Sequence, residues 1–160
     1  PRAAAAAHAA GVGATIEVTL GGYHDPKRYT PMPVKAQVKL LSDGNARLET
    51  MKTPLTAGPT AVLTFDNFTV VVLSTSVSLF DRAMYYANGC NPPDFDLIVV
   101  KSPHCEHHMF EAWAEKNFNI DAPGATSADL KSLGHTICAR PIYPLDPDVK
   151  FTPGATIYSR

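Results

Sequence analysis

The sequence predicts an α+β fold, with a mixed sheet of mostly antiparallel hairpins in the first half and one β-α-β unit in the second. Two observations carry that prediction. Before residue 75, apolar and polar residues alternate between Gly, Asp-Gly and Asp-Asn punctuation, the pattern of half-buried strands joined by tight turns. After residue 95, the apolar run Leu97, Ile98, Val99, Val100 is followed by a Ser-Pro helix start, a helical stretch and a short alternating segment.

Residues 1–10, PRAAAAAHAA, read as a short helix, because proline fits the first helical position, alanine is the best helix former, and Gly11 and Gly13 can end it. A chain that opens without Met and inside a helix is expected to be a domain cut from a longer protein, or a proteolytic piece. Residues 13–20 alternate as a strand that Gly21-Gly22 closes, and residues 23–33 form a polar and aromatic surface loop. Residues 34–40 alternate cleanly, with Lys35, Gln37 and Lys39 on one solvent face, and Asp43-Gly44 is expected to turn a hairpin into residues 46–50. A second hairpin is expected from residues 60–65 and 68–74 around Asp66-Asn67, with Val70, Val71, Val72 and Leu73 as a central strand buried on both faces.

The hydroxyl cluster at 74–78 lacks the Gly-x-Ser-x-Gly elbow of a serine nucleophile, so these side chains are expected to bond backbone and cap the next helix. That helix holds Met84, Tyr85 and Tyr86 and stops at Asn88-Gly89. Residues 97–100 read as a buried strand, with Ser102 and Pro103 opening a helix that runs to about Lys116 on an apolar face of Met109, Phe110 and Trp113. Phe118-Asn119-Ile120 reads as the second strand of the unit. A capping signal at Thr126 to Asp129 predicts a brief helix over 127–132, residues 135–139 a last strand, and the proline-rich 140–147 an extended segment. No linker or repeat interrupts the chain, so residues 1–160 read as one domain.

Composition narrows the function. With 45% hydrophobic and 18% charged residues the chain is an ordinary globular protein, and 14 Lys+Arg against 15 Asp+Glu supply no electrostatic case for nucleic acid or an anionic membrane. No apolar run approaches membrane-spanning length. Three cysteines, Cys90, Cys105 and Cys138, are an odd number without disulfide-scaffold density, so a cytoplasmic location is expected. Gly11-Val12-Gly13 precedes a strand instead of following one and is no dinucleotide fingerprint.

The densest chemistry lies at 101–108, KSPHCEHH, after a strand and at a helix start, where α/β units tend to place functional groups. On a helix His104 and His108 sit one turn apart on one face, as two zinc ligands do, though Glu106 does not complete a His-Glu-x-x-His pattern. A third ligand would come from His24, His135 or Asp121. Cys105 is a candidate nucleophile, because a helix N-terminus lowers thiol pKa and histidines flank it. The plainer reading is a polar helix start, exposed or packed on a partner.

The motifs VVKSPHCEHHMFEAW, NIDAPGATSADL and ARPIYPLDPD, with GVGATIEVTLGG and GPTAVL earlier, resemble the C-terminal domain of the microcystinase C (MlrC) family of zinc metallopeptidase-like proteins. The similarity spans nearly the whole chain and several motifs in the family's order. It implies a domain accompanying a larger N-terminal metallopeptidase domain that holds the zinc and the hydrolytic centre. It further implies a peptide or amide substrate, and no metal in this chain itself. Lys101 and Ser102 match the family motif directly, and with His104 and His107 they are the candidates for a substrate or domain-interface contact. Three readings follow. The chain is an accessory domain of a zinc hydrolase whose 101–108 segment walls the cleft, and is inactive alone. Or it is a self-sufficient metal- or thiol-dependent hydrolase using His104, Cys105 and His108. Or it is a binding or oligomerisation module that joins copies of itself.

Overall fold

A run of five alanines dictates the first element. In α1 (Arg2–Ala10), Ala3, Ala4 and Ala7 are buried, and side chains this small let the helix axis lie close to a sheet. Gly11 ends the helix in the left-handed region at φ 87°, its N–H donating to Ala7 O at 2.9 Å. The chain here is a computed structural model that describes residues 1–78, 81–100, 108–112, 114–118, 120–122, 129–150, 152, 154 and 156–158; of His108 and Met109 it describes the backbone only. These fall into two compact units, Pro1–Asn119 and Ile120–Arg160.

The first unit is built on a four-stranded sheet of β1 (Thr15–Leu20), β2 (Met32–Ser42), β5 (Thr60–Phe65) and β6 (Phe68–Leu73), in the order β1-β2-β5-β6. Every pair in it is antiparallel. Alternation sorts the faces as the sequence predicts. Lys35, Gln37 and Lys39 are exposed, while Ala36 and Val38 turn inward with Ala61 and Leu63 of β5 and Ala7 of α1. A bulge between Val38 and Leu40 resets the period, so that Leu41 joins Val38 on the core face.

Several expectations need correction. The run Val70 to Leu73 lies in β6, a half-buried edge strand, and the central, buried strand is β5. A continuous apolar run carries no alternation, and so cannot say on how many sides it has neighbours. Asp43-Gly44 does not close a hairpin with β2. The Asp43 carboxylate accepts Asn45 N–H at 2.9 Å and Asn45 Nδ2–H at 2.8 Å, and Gly44, at φ 73°, turns the chain out of the sheet. A Cβ on Gly44 would fall 2.0 Å from Gly58 O, so only glycine fits this approach. β3 (Asn45–Arg47) then pairs with β4 (Pro54–Thr56) in a separate two-stranded ladder. The hairpin at Asp66-Asn67 forms as predicted, with Asp66 at φ 48° and the Phe65 and Phe68 rings stacked at 5.5 Å.

After β6 the hydroxyl cluster behaves as expected towards backbone, Ser74 Oγ donating to Pro59 O. Helix α2 (Ala83–Ala87) is shorter than predicted, and Asp81, not a serine, receives its first amide. The α+β class holds, with helices beside a four-stranded and a two-stranded antiparallel sheet, but residues 97–100 carry no ladder among the described residues, with Leu97 74% and Val99 78% exposed. Strand-forming composition needs a neighbour before it becomes a strand. Helix α3 (His108–Glu111) ends well short of Lys116, and Phe118 and Ile120 are exposed and carry no ladder among the described residues. The predicted start of that helix, at Ser102 and Pro103, lies outside the described residues.

In the second unit, a 3-10 turn (Leu130–Leu133) replaces the brief helix. Asp129 Oδ1 accepts Lys131 N–H at 3.1 Å, and Gly134 closes the turn at φ 64°. Residues 135–139 form no strand. Residues 140–147 form turns instead of an extended segment, because Asp146 folds back to pair with Arg140 and to accept Ile142 N–H at 2.7 Å.

Candidate functional site

The chain enters the 101–108 cluster from a scaffold that can be traced residue by residue. It begins at Asp81, 3% exposed, whose Oδ2 accepts Glu49 N–H at 2.7 Å, Thr50 N–H at 3.1 Å and the Thr50 hydroxyl at 3.2 Å. Its Oδ1 accepts Ala83 N–H at 2.9 Å, so one buried carboxylate ties the loop after β3 to the start of α2 with all its partners supplied. The neighbouring Arg82 reinforces the tie through a two-pronged pair with Glu49, Nε to Oε2 at 3.0 Å and the terminal nitrogen to Oε1 at 2.9 Å. That hydrogen bond raises the guanidinium pKa above its ordinary value.

The far end of α2 is fixed to the sheet by Asn88, which is 2% exposed. Its Oδ1 accepts the Ser42 hydroxyl from β2 at 2.8 Å, and its Nδ2 donates to Met84 O at 2.8 Å. Cys90 N–H then donates to Tyr85 O at 2.9 Å, and the residue is buried, which pushes its thiol pKa up. Finally the Tyr85 hydroxyl donates to Val99 O at 3.0 Å. The order sheet, Asn88, α2, Tyr85, Val99 delivers the backbone to within two residues of Lys101.

The predicted site residues stand as follows. Lys101, Ser102, His104, Cys105 and His107 lie outside the described residues. His108 opens α3, whose Phe110 is buried at 6% exposure. His24 sits exposed in the loop after β1, its ring edge-on to Tyr23 at 4.9 Å, and Tyr23 in turn stacks under the Arg2 guanidinium at 3.9 Å. Asp121 and His135 are exposed and belong to the second unit. Among the described residues no three His, Cys, Asp or Glu side chains are grouped to hold a metal ion, so these residues do not fit zinc.

The second unit carries an open groove of about 470 Å³ lined by Pro141, Asp146, Pro147, Asp148, Val149 and Lys150. Its Asp146 carboxylate is held down to a pKa of about 2, chiefly by the Arg140 hydrogen bond and then by Ile142 N–H, so it is ionised and engaged and is no general base near neutrality. Asp81, Asn88 and Tyr85 are positioning residues that sequence reasoning missed. Asp81 left a trace, an acidic residue two places before a helix, but the bonds of Asn88 and Tyr85 span 46 and 14 residues and leave no local signal.

Residues 1–136 match the family described as MlrC C-terminus. A crystal structure of a candidate metallopeptidase from Mesorhizobium sp. BNC1 superimposes with a TM-score of 0.80 at 28% identity, covering 95% of this chain and 31% of that one. The chain thus spans about a third of the length of that solved relative. No curated protein matches it.

Proposed function

Because the chain belongs to the MlrC C-terminal family, we propose that it is the accessory domain of a zinc-dependent peptidase or amidohydrolase, docked on a larger N-terminal catalytic domain. One observation carries this reading: the relative it resembles over 95% of its own length is described as a candidate metallopeptidase, with roughly two-thirds of its chain lying outside the match. The metal belongs to the N-terminal part in this reading, and a zinc bound there would supply Lewis-acid polarisation of a scissile carbonyl and an activated water.

This chain's own residues bind and position. The Asp81, Asn88 and Tyr85 bonds fix the backbone that runs into 101–108, and Lys101, Ser102, His104 and His107 present donors and charge to the catalytic domain or to its peptide or amide substrate. Residues 1–160 act as one domain in this role, in the cytoplasm, without nucleic acid or membrane as partner.

The test compares a panel of peptides and amides with three proteins: the long parent, the parent lacking this chain, and the 160-residue chain alone. The parent hydrolyses at least one substrate, deletion of the chain lowers kcat/KM by roughly a hundredfold or more, and the chain alone is inactive. Hydrolysis by the chain alone that is lost on Cys105→Ala or His104→Ala would replace this proposal with the self-sufficient hydrolase.

A further inference from the structure

Among the described residues of the first unit, Leu97 and Val99 are the most exposed large apolar side chains, at 74% and 78%, with Phe95 at 36% two residues before Leu97. Ile98 between these two and Val100 after them are half-buried, so residues 97–100 alternate, one row turned into the unit and one row turned out, while Asp96 is exposed. It is held in place and not left to drift. Asp94 and Phe95 donate their amides to Asn91 O and Pro92 O at 3.0 and 3.1 Å, Pro92 is buried, and Val99 O accepts the Tyr85 hydroxyl. A β-branched apolar run of this kind belongs to a strand with neighbours, yet no ladder forms here among the described residues.

We infer that residues 95–100 are a preformed pairing edge for a β-strand of the N-terminal domain, which covers Phe95, Leu97 and Val99 and thereby sets the position of the adjoining 101–108 segment. The inference rests on the accessory-domain reading and names the surface it uses. Length argues for this occupant, since roughly two-thirds of the solved relative lies outside the match and has room for the strand. Area argues against a second copy. Three side chains and a six-residue edge fall well short of the ~1,200 Å² at which standard interfaces between separate chains begin. A strand tethered in the same chain meets this edge at a millimolar effective concentration and needs no such area. Pairing here supplies the ladder that 97–100 lacks among the described residues and covers the apolar row together, as strand addition to a sheet edge does.

Amide hydrogen exchange on the long parent tests this, together with nicking between its two parts by limited proteolysis and size-exclusion chromatography of the nicked protein. Residues 97–100 are expected to exchange at least ~100-fold more slowly than unprotected amides, and the nicked parts to co-elute. In Leu97→Asp/Val99→Asp that protection drops by roughly 30-fold or more while the amides of β5 stay protected, which shows the sheet is intact. Val12→Asp, at a site 65% exposed on the turn before β1, changes neither. Unprotected 97–100 amides in parts that still co-elute would overturn the inference and leave the accessory-domain reading standing. Nicked wild-type parts that separate would overturn both. Equal protection of 97–100 in the 160-residue chain alone would place the partner within this chain and also overturn it.

Discussion

β5 and residues 97–100 are the same kind of sequence in opposite surroundings. Thr60, Ala61, Val62 and Leu63 are at most 1% exposed, whereas Leu97 and Val99 stand 74% and 78% in solvent. β5 has β2 and β6 hydrogen-bonded on its two sides and α1 packed on the sheet, whereas residues 97–100 have no strand paired to them among the described residues and are tied by the Tyr85 hydroxyl to Val99 O. Apolar, β-branched composition makes a segment eligible for burial, and topology decides whether burial happens.

The widest separation between the two regions is expected from matched truncations. In the 160-residue chain, Leu63→Ala should cost roughly 3 kcal/mol, since it removes a fully buried side chain from a packed core. Leu97→Ala should fall within about 0.5 kcal/mol of wild type, as exposed substitutions do. Urea unfolding of the two variants side by side checks the pair, and equal losses would break the comparison.

The scaffold leading from the sheet to residue 99 is sharpened by Asp81→Ala. It strips the acceptor from the amides of Glu49, Thr50 and Ala83, and should cost about 2 kcal/mol while speeding exchange of those amides more than those of β5. Wild-type exchange at Glu49 and Ala83 in this variant would show that Asp81 ties nothing together.

The smallest effect belongs to the second unit. Asp146 has a folded pKa of about 2, below its ordinary 3.8, so the Arg140 and Ile142 contacts are fully present above pH 3.8 and are lost as pH falls from there through 2. An NMR titration of the Asp146 carboxyl should show that midpoint, and Arg140→Ala should move it up towards 3.8. A midpoint unmoved by Arg140→Ala would assign the shift to another cause.

The sheet was legible because each of its signals is local. Alternation at Lys35, Gln37 and Lys39 marks a face, Asp66-Asn67 marks a turn, and the alanine run marks a helix thin enough to lie on the sheet. Neighbour relations were not legible. Nothing in the letters of Val70 to Leu73 says edge, and nothing in Asp43-Gly44 says that the turn leaves the sheet instead of folding back along it. The same limit governs the site. The 101–108 cluster was found by residue type, but the residues that hold its entry, Asp81, Asn88 and Tyr85, act through bonds that only the fold brings together.

The central claim, that the metal of the parent enzyme is bound outside this chain, is tested most directly by elemental analysis of the purified 160-residue chain after dialysis against metal-free buffer. The account predicts zinc well below one per chain, unchanged in His104→Ala and His108→Ala. One zinc per chain that disappears with either substitution would contradict it and put a metal site in the KSPHCEHH segment itself.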